Sequence, residues 1–191
     1  MTVILGYIDD NKRYICADTQ ISSSYHKQYM IDSKIFKYND FFLGVSGRIK
    51  LINAFNYWNP PKRKRGQYIH DYIEHTLIKS IQSLFKKEKV VGEEKGILDD
   101  TQSKIMIVTD SGIYIIQSDF SVYETLDNFA AIGCGDAAGF GALSMFHKLK
   151  KSKYRNISLD TYKALQMVVE TVSDFDPYVG RVAHIFEEDK E

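Results

Sequence analysis

Apolar and polar positions follow two rhythms along this chain. Val3 to Ile8 is a short apolar run, Asp9-Asp10-Asn11-Lys12 is a polar turn, and Arg13 to Ala17 alternates Tyr14 and Cys16 with other side chains. That pattern predicts an opening β-hairpin. A polar stretch from Ile21 to Lys27 is followed by Met30 to Tyr38 and by the apolar run Phe41 to Val45, which stops at Ser46-Gly47. The rhythm then changes. Arg48 to Tyr57 sets Ile49, Ile52 and Phe55 on one helical face with Leu51 beside them, and Pro60-Pro61 ends the segment. Gln67 to Lys87 carries Ile69, Ile73, Leu77, Ile81 and Leu84 at steps of three and four, which predicts a second helix.

Lys86 to Thr101 is charged and contains glycine, so a loop or mobile hairpin is expected there. Strand-like runs resume at Ile105 to Thr109, Ile113 to Gln117 and Phe129 to Ile132. Gly133-Cys134-Gly135-Asp136 then turns the chain into a helix from about Ala137 to Lys150, with Asp136 expected as its N-cap. Ser158 is expected to begin another helix reaching about Val172, and Val182 to Phe186 a last strand before an acidic tail. Strands, two helices, strands, two helices, strand is the order of an α/β/β/α sandwich, with helix pairs covering stacked sheets in one domain spanning residues 1–191.

Composition narrows the partners more than the fold. Twenty-five basic residues against twenty-five acidic ones leave no net charge, which argues against nucleic acid or a membrane surface as the main partner. No apolar run reaches the roughly 18 residues a membrane span needs, and no basic segment precedes a long apolar one at the N-terminus. A cytoplasmic protein is expected. Cys16 and Cys134 form no CxxC pair and are read as reduced, buried residues. His26, His70, His75, His147 and His184 show no HExxH or HxH grouping, so neither a metal nor a cofactor is expected.

The candidate chemistry begins at Thr2. Removal of Met1 would leave an α-amine and a β-hydroxyl on one residue, and an α-amine titrates near pH 8, so it can act as base for its own hydroxyl. Asp18 follows Thr2 by 16 residues and Lys34 follows Asp18 by another 16. Neighbouring antiparallel strands can bring such positions to one sheet end. There the lysine cation would lower the proton affinity of the hydroxyl and amine, and the aspartate would orient the lysine. Other motifs carry less. Gly133-x-Gly135 has its next glycine at Gly139 and does not fit GxGxxG, and Gly44-Val45-Ser46-Gly47-Arg48 fails the GxSxG elbow at its last position. Lys62-Arg63-Lys64-Arg65 has no interleaved aromatics and reads as a solvated loop or subunit contact.

With Thr2 counted as the first mature residue, Thr2, Asp18 and Lys34 match without a gap the nucleophile, aspartate and lysine of the proteasome β-type subunits, and of the simpler bacterial HslV-type peptidases among the N-terminal-nucleophile hydrolases. Ala17-Asp18-Thr19, Asp32-Ser33-Lys34-Ile35, Gly44-Val45-Ser46-Gly47 and Phe129-Ala130-Ala131-Ile132-Gly133-Cys134-Gly135 resemble segments of the same family. The resemblance implies the four-layered sandwich of two antiparallel sheets and peptide-bond hydrolysis by an N-terminal threonine. It also implies polypeptide substrates, homo-oligomeric stacked rings and an ATP-driven unfoldase partner. It makes the Gly47 amide the candidate oxyanion donor, places Ser22 with Gly47 on the substrate side, and leaves Asp32, Phe36 and Val45 as loose candidates for a side-chain pocket. Cys134 stands where the family usually has serine. For the supporting aspartate, an ungapped comparison with the bacterial type selects Asp174, the preferred position, whereas Asp176-Pro177-Tyr178-Val179-Gly180 resembles the archaeal and eukaryotic Asp-x-x-Ser-Gly pattern with Val179 in place of serine. The rival implication is a catalytically inactive subunit of the same fold, kept as scaffold or binding module.

Overall fold

A computed structural model of the chain describes residues 2–22, 26–90, 93–94, 97–98, 101–152 and 160–190. In chain order the strands β1 (Val3–Ile8), β2 (Lys12–Asp18), β3 (Gln20–Ser22), β4 (Lys27–Tyr29), β5 (Ile35–Lys37) and β6 (Phe42–Ser46) precede helix α1 (Ile49–Phe55). Next come α2 (Ile69–Tyr72), a π-helical turn over Ile73–Leu77, and α3 (Ile78–Lys87). The second half holds β7 (Glu93–Glu94), β8 (Ile97–Leu98), β9 (Lys104–Val108), β10 (Ile113–Ile116), β11 (Val122–Glu124) and β12 (Phe129–Gly133). Helices α4 (Asp136–Lys151) and α5 (Thr161–Phe175) and strand β13 (Ala183–Asp189) complete it.

Two antiparallel sheets are stacked, one ordered β12-β1-β2-β13 and the other β11-β10-β9-β6-β5. β1, β6, β9 and β10 read as nearly unbroken apolar runs because both their faces are buried, whereas β11 and β13 at the sheet edges keep exposed polar positions. In β1, Val3, Leu5 and Tyr7 pack toward α4 and α5 with Leu143, Leu165 and Val169, while Ile4 and Ile8 face the other sheet. In β9, Met106 and Val108 meet Ile4 between the sheets, and Ile105 and Ile107 join Leu51, Phe55, Ile73 and Ile81 under the first helix group. Three apolar layers therefore separate four layers of structure, and the chain is an α/β/β/α sandwich.

Several element ends differ from the sequence expectations. Asp136 is the first residue of α4 rather than its cap; Gly135 takes the cap position and no side-chain cap bond forms. Ser158 lies outside the described residues, and α5 is capped by Asp160, whose carboxylate accepts the Lys163 amide. That helix runs on past Val172 to Phe175. The acidic tail is not loose: β13 extends to Asp189, since Glu187 pairs with Lys12 and Glu188 with Arg13 and Lys37 on the partner side. Within 86–101, where a loop or mobile hairpin is expected, residues 93–94 and 97–98 pair antiparallel. Cys16 is buried as expected, but Cys134 is exposed, because it sits in the turn that leaves β12 at the end of the sheets.

Candidate active site

Sheet pairing brings one end of each sheet together. Thr2 precedes β1, Asp18 ends β2, Lys34 precedes β5, Gly47 follows β6 and Cys134 follows β12. Thr2, Asp18 and Lys34 are polar yet only 2%, 1% and 3% exposed. Burial of such groups is tolerated only when they satisfy one another. The Thr2 hydroxyl donates to Asp18 Oδ1 and accepts from Lys34 Nζ at 2.7 Å. Lys34 also donates to Asp18 Oδ1 at 2.9 Å and to the Gln20 carbonyl at 2.7 Å, so all three ammonium hydrogens are used. Asp18 Oδ1 accepts the Val3 amide at 3.0 Å, and Oδ2 accepts the amides of Gln20 and Gly180, each at 3.0 Å. The carboxylate is thereby fixed in one orientation.

Burial pulls Lys34 below the ordinary lysine value, and the charge of Asp18 opposes that shift. With three hydrogen bonds donated, the side chain acts here as a cation aimed at the Thr2 oxygen rather than as a proton acceptor.

The Thr2 nitrogen, which removal of Met1 would turn into an amine, donates to Cys134 Sγ at 3.2 Å. The thiol returns a bond to the Thr2 carbonyl at 3.4 Å. Partial desolvation by the surrounding turn, and then its hydrogen bond to the Asp176 carboxylate, push the Cys134 thiol up to about 11, so it stays protonated at neutral pH and is a poor nucleophile although the residue is exposed. Gly133, just before it, has φ of +108°, and a Cβ there would lie 2.1 Å from the Thr2 carbonyl oxygen. Only glycine fits.

Gly47 is held the same way. Its φ is +126°, and a Cβ would fall 1.9 Å from Ser103 Oγ, which accepts the Arg48 amide at 3.2 Å. Thr2 and Gly47 line two cavities between them. One, of about 230 Å³, is walled by Ile21, Met30, Val45, Ile49 and Ile52, with Gln20 and Ser22 at its side. The other, of about 290 Å³, is walled by Ser46, Gln102, Ser103, Lys104, Ser118, Gly133 and Cys134.

Not every expected position is at the site. Asp174 lies in the last turn of α5, exposed and ion-paired to Arg181 at 3.0 Å, while Asp176, one residue beyond the helix, reaches Cys134. Of the three loose pocket candidates, Val45 lines the first cavity; Asp32 is exposed and Phe36 turns away to stack on Phe55. Gln20 and Gly180, which complete the Lys34 and Asp18 bonding, carry no side-chain motif; Gly180 showed only as the end of the Asp176-to-Gly180 pattern. Among the described residues no group of three or more His, Cys, Asp or Glu side chains gathers as a metal site would. Nor is any described helix long and apolar enough to cross a membrane.

No protein-family model matches the sequence, and no curated protein matches it. Solved structures do. The chain is similar to Thiobacillus denitrificans BPH, with 21% identity, a TM-score of 0.72, and 99% of this chain and 98% of that one covered. It is similar to Thiobacillus denitrificans BPH in complex with epoxomicin, with 19% identity, a TM-score of 0.71 and 99% of each chain covered. It is also similar to the eukaryotic HslV from Trypanosoma brucei, with 14% identity, a TM-score of 0.65, and 98% of this chain and 99% of that one covered. These likenesses establish the fold, which is that of the proteasome and HslV type, over nearly the whole chain.

Proposed function

We propose that loss of Met1 makes this chain an N-terminal-threonine peptidase of the proteasome and HslV type. The observation that carries the reading is the buried Thr2 hydroxyl held between Asp18 and the Lys34 ammonium. In the first step Thr2 Oγ1 attacks the scissile carbonyl carbon. Its proton goes to the Thr2 amine directly or through one water, and the C–N bond breaks as the amine hands that proton to the leaving nitrogen. In the second step the amine takes a proton from water, the resulting hydroxide attacks the ester, and Thr2 Oγ1 is released with the proton. Lys34 lowers the cost of the developing alkoxide. The Gly47 amide is the proposed donor to the oxyanion, a contact that can be worth about 3 kcal/mol in the transition state.

The same reading assigns polypeptide substrates, stacked homo-oligomeric rings and a cytoplasmic setting, with an ATP-driven unfoldase feeding the rings. Ring contacts are supported by the outer face of α4, where Phe140, Met145 and Leu149 stay exposed beside a shallow groove of about 580 Å³. Val179, buried where the resemblance expects serine, favours the rival reading of an inactive scaffold subunit. One experiment separates them. Intact mass of the native protein should show one methionine lost, and the protein should hydrolyse a fluorogenic peptide and bind epoxomicin, while Thr2→Ala does neither with its oligomer intact. Uniform retention of Met1 with no hydrolysis would leave the scaffold reading.

A further inference from the structure

Resting on the peptidase reading, a second specificity can be read from the cavity on the far side of Thr2. An attacking oxygen at a peptide carbonyl needs room on two sides, one for the acyl portion and one for the departing amine. The Thr2 nitrogen is the group that protonates the departing amine, and that nitrogen lies 3.2 Å from Cys134 Sγ. Cys134 lines the cavity of about 290 Å³ and not the one of about 230 Å³. The leaving side of the substrate therefore exits past Cys134, and the cavity of about 230 Å³ is left for the acyl side.

The two walls differ in chemistry. Where the acyl side meets Met30, Val45 and Ile52 beside Lys34 and Arg48, the leaving side meets the hydroxyl-bearing residues Ser46, Ser103 and Ser118 and one cation, Lys104. Register places Lys104 there, because β6 and β9 pair Ser46 with Lys104 at the end of the second sheet, one residue before Gly47. Lys104 is the one charged side chain among the lining residues. The charged group facing it is Asp136, whose Oδ2 lies 4.0 Å from Lys104 Nζ and which does not line the cavity; both side chains are about 40% exposed, at 43% and 41%. We propose that this cavity receives the residue immediately after the cleaved bond, and that Lys104 makes it select acidic over basic side chains there.

The test uses two internally quenched peptides that share an apolar residue before the cleaved bond and differ only in the next residue, Glu or Lys. The native enzyme is expected to favour the Glu peptide in kcat/KM by about three-fold at low salt, in the range of a partly exposed ion pair. The preference should shrink toward unity at about 0.5 M salt, as screening requires. Lys104→Met should remove the preference and Lys104→Glu invert it. A merely structural Lys104 would not move this ratio, since the bond from Ser46 Oγ goes to its backbone carbonyl. Equal kcat/KM for the two peptides, or a preference that ignores salt and survives in Lys104→Glu, would overturn the proposal. The salt series needs only the native enzyme, so it decides even where a variant fails to fold. Failure of the native enzyme to cleave either peptide would instead overturn the peptidase reading, and this proposal with it.

Discussion

Cys134 Sγ accepts the Thr2 N–H at 3.2 Å. The atom that orients the proposed catalytic nitrogen is thus a sulfur, a weaker hydrogen-bond acceptor than a hydroxyl oxygen. Cys134→Ser should hold the amine more firmly and raise kcat by roughly two- to five-fold, the factor a few tenths to one kcal/mol of hydrogen bonding provides. Steady-state kinetics on one peptide would check it, and a fall in kcat would show that the thiol serves better than a hydroxyl.

Lys34→Met removes the cation while keeping the length of the side chain. The hydroxyl loses its donor and Asp18 keeps four of its five partners, namely the Thr2 hydroxyl and the amides of Val3, Gln20 and Gly180. Hydrolysis should drop by roughly 10²–10³-fold, as when one electrostatic group at a developing oxyanion is deleted. The fold should be weakened by about 3 kcal/mol because a buried carboxylate loses its counter-charge. Thermal unfolding and turnover measured on the same sample separate the two effects.

The pH profile follows from two groups of opposite sense. An α-amine titrates near 8, so activity should rise as pH increases through about 8 and the Thr2 amine becomes a base. Burial holds Lys34 below its ordinary 10.5, so the cation is lost, and activity falls, before that pH is reached. The sign for stability is the reverse. Between its folded value and 10.5 the unfolded chain binds more protons at this site than the folded one, so the Lys34 contribution to stability increases with pH across that window. A rate profile still flat at 10.5 would contradict the placement of Lys34.

Gly47→Ala should cost both activity and stability. A methyl group would meet Ser103 Oγ at 1.9 Å on a backbone with φ of +126°, which L side chains rarely adopt. Relief of that contact must move the backbone at position 47, and the proposed oxyanion donor with it. Hydrolysis should fall roughly 100-fold, with unfolding at lower temperature by calorimetry. Retained turnover would remove the Gly47 amide from the oxyanion role.

Much of this architecture was written in local pattern. The central strands are legible because they are buried on both faces, as Val3 to Ile8 shows, and the helix at 69–87 because its apolar steps survive the π-helical turn over Ile73–Leu77. Thr2 and Asp18 meet because β1 and β2 pair antiparallel, but Lys34 precedes β5 of the other sheet and joins them through the stacking of the two sheets, which equal spacing along the chain does not reveal. What was not legible depends on partners across the fold. Whether Asp174 or Asp176 approaches Cys134 turns on where α5 stops, and three added residues of helix put Asp174 on the solvent side. The order of the acidic tail required Lys12, Arg13 and Lys37 on other strands. Lys104 became visible only once β9 was paired with β6.

The central claim is that Thr2 Oγ1 becomes the nucleophile when Met1 is gone. Its most direct measurement is to mix the native protein with an acylating ester substrate, quench in acid, and map the adduct by peptide mass spectrometry. One acyl group on an N-terminal peptide that begins at Thr2 is the predicted result. An adduct on Cys134, or an unmodified peptide still beginning with Met1, would contradict it.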